Sequence, residues 1–115
     1  MGSILTDTKK LLGIEEEYTV FDPDVIIHIN SVFSILNQLG VGPENGFSIT
    51  DSTSTWEDFL GGDEPKLNMV KSYMYAKVRL MFDPPSGAHK EALEHTCNEL
   101  EFRLNVQVDP DDSVE

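Results

Sequence analysis

The sequence predicts an all-α fold, a small bundle of about four helices with a long loop or short β-hairpin between the second and third main helices. Three observations predict it. Apolar residues recur at three- and four-residue spacing in separate stretches, which is the period of one helix face. Glycine or proline closes each stretch, at Gly13, Gly40, Gly61-Gly62 and Asp83-Pro84-Pro85. Alternation of period two is confined to Phe47-Ser48-Ile49-Thr50, beside the turn dipeptides Gly42-Pro43 and Asn45-Gly46.

The first helix is expected over Ile4 to Leu12, with Ile4, Leu5, Thr8, Leu11 and Leu12 on one face and Gly13 as its stop. Lys9 and Lys10 fall in its last turn, where the helix dipole favours cations. Asp22 is placed to cap the second helix, Pro23 suits its first position, and Phe21 can staple onto Ile26. Val25 or Ile26, Ile29, Val32, Phe33, Leu36 and Leu39 form its apolar face. Residues 41–55 are turn- and hydroxyl-rich, and read as a mobile loop or small hairpin projecting from the helices. Thr55-Trp56-Glu57-Asp58 reads as a capped helical turn reaching Leu60. Asp63-Glu64-Pro65 opens the third main helix, which runs to Phe82 and is apolar over most of its circumference, the pattern of a central or shared helix. The last helix follows a cap at Ser86, with Ala88, Ala92, Leu93, Cys97, Leu100 and Leu104 on its face. Residues 1–108 form one domain, and 109–115 are expected to be a flexible acidic tail.

Hydrophobic residues make up 39% of the chain, enough for a packed core rather than disorder. Apolar runs of about three residues fall far short of the ~20 that span a bilayer, so no membrane role is expected. No basic-then-apolar leader opens the sequence, which argues against export. The lone cysteine, Cys97, excludes an internal disulfide and fits a reducing compartment.

Charge narrows the functions further. The formal net charge is −13, from 21 acidic and 8 basic residues, which argues against a protein that grips nucleic-acid phosphates. Three readings remain open: solubility by self-repulsion, the lining of a DNA passage that must not adhere, and imitation of DNA to occupy a DNA-binding enzyme. The third main helix carries Lys66, Lys71, Lys77 and Arg79 and no acid between Pro65 and Phe82. The last helix carries Glu91, Glu94, Glu99 and Glu101 against Lys90 and Arg103. Two readings fit this opposition. Either the helices are a solvated pair within one bundle, or one copy's basic helix faces the next copy's acidic helix. The second makes Lys71, Lys77, Arg79, Glu91, Glu94 and Glu99 a candidate subunit interface.

No catalytic constellation competes with these readings. His28, His89 and His95 are never three or four residues apart, so no helical pair of metal ligands exists among them. Asp109, Asp111 and Asp112 resemble part of a calcium loop but lack its glycine and closing glutamate. Phosphate-loop and nucleophile-elbow patterns are absent. No enzyme, cofactor or metal is expected. Trp56 reads either as an interface anchor or as a lid over the core. Trp56, Phe47, Asp109, Asp111 and Asp112 are the candidate partner-binding residues.

Over residues 4 to 106 the chain resembles the head-tail connector (adaptor) proteins of tailed bacteriophages. The resemblance is carried by the short helix ending Leu12-Gly13-Ile14, the helix begun at Asp22-Pro23-Asp24, and the variable loop of 41–62. It continues in Tyr73-Met74-Tyr75-Ala76-Lys77-Val78-Arg79, the Asp83-Pro84-Pro85 break and the final amphipathic helix. These are patterns of residue type, distinctive in their order rather than singly. The resemblance implies a non-enzymatic subunit of a cyclic, dodecameric ring below the portal, extending the DNA channel and docking the next connector or tail-completion protein. It implies a place in the virion after synthesis in the bacterial host cytoplasm, with double-stranded DNA passing and not tightly bound. The acidic tail or final helix would hold the portal, and loop 41–62 would face the tail or line the channel. The rival expectation is a DNA-mimic inhibitor, against which the basic third helix weighs.

Overall fold

The helix with the widest apolar circumference lies at the centre. The computed structural model describes residues 2–61 and 64–108, in which five helices follow one another. They are α1 (Ile4–Leu11), α2 (Asp22–Gln38), α3 (Trp56–Leu60), α4 (Glu64–Phe82) and α5 (Gly87–Val108). α4 packs against α1, α2 and α5, and Val70, Tyr73, Met74, Ala76 and Val78 on it are at most 1% exposed. Most of its apolar girth is buried within one chain, while Met81 stays exposed and Tyr75 half-buried.

α2 buries Val25, Ile29, Val32, Phe33 and Leu36, the face its spacing predicts. Its start differs from the expectation. Phe21 is the N-cap and offers no side-chain hydrogen bond, while Asp22 is already helical. The missing cap costs about 1 kcal/mol. Five buried apolar side chains, at ~1.5–3 kcal/mol each, outweigh it easily. Phe21 sets its ring edge-on to Tyr18 and Phe82, with centroids 5.6 and 5.3 Å away.

Asp22 is drawn instead to Lys9. The Lys9 side chain is almost completely buried, and its Nζ lies 2.8 Å from Asp22 Oδ1. The same ammonium donates to the carbonyls of Glu16 and Tyr18, at 3.0 and 2.9 Å. Two backbone carbonyls thus take protons from the ammonium and Asp22 stands beside it as counter-ion, which together allow an ammonium to be buried. Lys9 ties the acidic connection after α1 to the first turn of α2. A dipole argument at the end of α1 does not reach this role.

The segment between α2 and α3 is a loop, and it does not project. Among the described residues no strand forms, and the one isolated bridge is antiparallel, between Ser3 and Thr55. Phe47-Ser48-Ile49-Thr50 alternates as a strand would, but its backbone partner is a side chain. Asn30 on α2 accepts from Ile49 N–H at 2.8 Å and donates to Ile49 C=O at 3.0 Å. Val41 and Ile49 are each 2% exposed, so the loop closes one end of the core. At Gly42 a Cβ would stand 2.3 Å from the Phe59 ring, and φ is +94°, so only glycine fits there.

Thr55 and Asp58 cap α3 reciprocally, as the sequence predicts. The start of the chain is sewn to the same place. Ile4 N–H donates to Ser54 C=O at 3.0 Å, Trp56 N–H to Gly2 C=O at 3.3 Å, and the Ser3 hydroxyl accepts from Thr6 N–H at 3.2 Å.

Candidate functional site

Asp83-Pro84-Pro85 ends α4, and the chain returns as α5 along it, giving an antiparallel helical hairpin. Its inner seam is polar at one point. Tyr73, fully buried, donates its hydroxyl proton to Glu101 Oε2 at 2.6 Å, and Lys77 Nζ lies 3.6 Å from the same oxygen. Burial is the main cause that raises the Tyr73 pKa, and the Glu101 hydrogen bond adds to it. Cys97 is buried beside them, and burial likewise pushes its thiol up. A buried, protonated thiol with neither a base nor a cavity is a packing residue.

Of the candidate subunit-interface cations, Lys77 is engaged by the chain's own α5. Arg79 is half-buried and closes the end of α4, its Nε donating to Asp83 C=O at 2.6 Å and its Nη1 to Tyr75 Oη at 3.4 Å. Lys71 stands 5.7 Å from the centre of the Trp56 ring, a cation–π distance. Among the acids, Glu99 pairs with Arg103 at 2.8 Å along α5, while Glu91 and Glu94 are exposed. One chain thus satisfies part of the charge opposition internally and leaves the outer acids of α5 facing solvent.

Trp56 and Phe47, two of the candidate partner-binding residues, both pack toward the core of this chain. Trp56 is 3% exposed, and its indole N–H donates to Asp7 Oδ2 at 2.9 Å. It is the lid of the core. Phe47 is half-buried and packs edge-on against Phe33 and Phe59, with centroids 5.0 and 5.3 Å away. Asp109, Asp111 and Asp112 lie outside the described residues.

Apolar surface is left elsewhere. Phe102 is 70% exposed on the outer side of α5. It falls off the Leu93–Cys97–Leu100–Leu104 stripe, and that misfit was the available signal. On the other side of the hairpin an open groove of about 370 Å³ runs between Leu11 of α1, Tyr75 and Ala76 of α4, and Leu93 and Thr96 of α5. A neighbouring hollow toward Pro85 and His89 shares Tyr75, Leu93 and Thr96, so the groove continues along the seam. A second patch joins Tyr18, Phe21 and Phe82, with His28 6.2 Å from the Phe82 ring. No group of three metal-capable side chains occurs among the described residues, and no helix among them is long and apolar enough to cross a membrane.

The described residues thus offer grooves and charged faces for contact. No curated protein and no solved structure matches the chain significantly. A family model described as phage connector protein matches residues 4–111, nearly the whole sequence. The chain therefore belongs to the phage connector protein family, a structural, non-enzymatic family whose members have their place in the virion.

Proposed function

We propose that this chain is a head-tail connector subunit: copies form a ring below the portal, extend the DNA channel and present a docking surface to the next connector or tail component. The observation that carries the reading is the family match over residues 4–111, joined to a net charge of −13. A ring of such subunits surrounds DNA with carboxylates, so each passing phosphate is repelled rather than neutralised. The acidic segment 109–115 is proposed to reach the portal. The exposed rim Thr50-Asp51-Ser52-Thr53, where the Asp51 carboxylate accepts from both the hydroxyl and the N–H of Thr53, is proposed as the tail-facing edge.

The DNA-mimic alternative gains nothing from the charge layout. Lys77 and Arg103 sit among the acids of the α4–α5 hairpin and break any uniform negative array. Co-sedimentation with the cognate portal tests the proposal. The full chain is expected to co-sediment in many copies per portal, and a chain lacking Asp109–Glu115 to do so more weakly. A full chain that ignores the portal and instead inhibits a DNA-binding enzyme would replace this reading with the mimic.

A further inference from the structure

We propose that neighbouring copies join head to tail, with Phe102 of one copy seated in the Leu11–Tyr75–Leu93 groove of the next. The inference rests on the ring reading and names the contact that would build it.

The two surfaces match in size. Phe102 is the most exposed large apolar side chain among the described residues, at 70%. The groove holds about 370 Å³ and is walled by Leu11, Tyr75, Ala76 and Leu93. A cavity of ~150 Å³ already lodges a benzene ring, so a phenyl side chain fits with room for its stem.

The two surfaces cannot meet within one chain. At about 100° per residue, Phe102 stands about 140° round α5 from buried Cys97 in one sense, and Thr96 of the groove wall about 100° in the other. Phe102 and Thr96 thus stand about 120° apart round α5, and each copy carries the protrusion and the recess on different sides of the hairpin. Such a contact is heterologous, leaves both partner surfaces free at the ends, and propagates until a ring closes.

Charge selects the same pairing. Two copies of a chain at −13 repel unless one presents cations to the other's acids. Glu91 and Glu99 share the outer half of α5 with Phe102, Glu94 flanks it, and all three are exposed. Lys71 lines the groove and Arg79 lines its continuation toward Pro85. The basic rim of the recess thus meets the acidic surround of the protrusion, which sets the direction of approach.

Cysteine cross-linking of the full chain decides this. In Asn98→Cys/Thr96→Cys the Phe102 ring is kept, and both new thiols replace exposed residues, one a helical turn from Phe102 and one in the groove wall, so the fold is kept. The two positions stand about 160° apart round α5, so their side chains diverge too far for a bridge inside one copy. Mild oxidation of the concentrated protein, alone and on the portal, should give a ladder of dimers, trimers and larger species. Either single variant should stop at dimers. In parallel, Phe102→Ser should weaken self-association about ten-fold or more, as loss of an interface anchor does, without moving the thermal unfolding midpoint. If the unaltered chain assembles but the double variant gives no ladder and Phe102→Ser associates normally, this contact is overturned and the ring stands. If the unaltered chain assembles neither alone nor on the portal, and no ladder forms, the contact and the ring reading fall together.

Discussion

Lys9 shows how much one side chain can hold. It is 2% exposed, joined to Asp22, Glu16 and Tyr18, and it closes the only connection between α1 and α2. Lys9→Met removes the ammonium and strands a carboxylate and two carbonyls. Losing one partner of a buried pair costs ~3–5 kcal/mol. Because Asp22 keeps some access to water, the low end, about 3 kcal/mol, is expected in urea unfolding. Lys9→Met/Asp22→Asn should recover part of that loss, since no bare charge remains. A loss under about 0.5 kcal/mol would show that the ion pair is a surface contact in solution. Gly42 makes a steric counterpart. Gly42→Ala forces both a left-handed backbone and a clash with Phe59, and should lower stability by about 2 kcal/mol or more. A neutral result would mean that the loop re-routes freely. The sequence marks Gly42-Pro43 as a turn, but nothing local says that a ring 17 positions later fills the space a Cβ would need.

At the scale of elements, helical spacing was enough to place α1, α2, α4 and α5 and to predict most of their inner faces. The Asp83-Pro84-Pro85 break and the reciprocal cap at Thr55 were also readable, because each depends on neighbours in sequence. What could not be read depends on distance. Phe47-Ser48-Ile49-Thr50 has a strand's alternation, yet Asn30, 19 residues earlier, supplies its hydrogen bonds in place of a second strand. Trp56 could be an anchor or a lid until Asp7 appeared beside it. The α4–α5 seam has its own test. Burial and Glu101 raise the Tyr73 pKa, so the folded protein keeps this phenol protonated where an unfolded chain ionises at about 10. The resulting stability is fully present below that pH and is lost as pH rises above it, because the unfolded state releases the proton first. Absorbance titration should show one tyrosine that ionises only as the protein unfolds, and Tyr73→Phe should abolish that late phase. Three tyrosines ionising together while the fold persists would contradict the buried hydrogen bond.

At the scale of the molecule, the fold is a slab of about 50 × 35 × 20 Å. Its thinnest dimension is about two helix diameters, so α5 lies in an outer layer with one side inward and one side free. The acids on that free side are legible in the sequence. Their arrangement around Phe102, on a different side from a recess that Lys71 and Arg79 help to line, is a product of the fold, because it needs α1, α4 and α5 together. A net charge of −13 opposes contact between copies, so the proposed assembly needs a directed contact or a portal that gathers copies locally. The most direct measurement is the native mass of the full chain, concentrated and alone, then mixed with its cognate portal. A closed ring, or a fixed multiple of the subunit mass added to the portal, is the predicted result. A chain that stays monomeric in both conditions and leaves the portal mass unchanged would contradict the connector account.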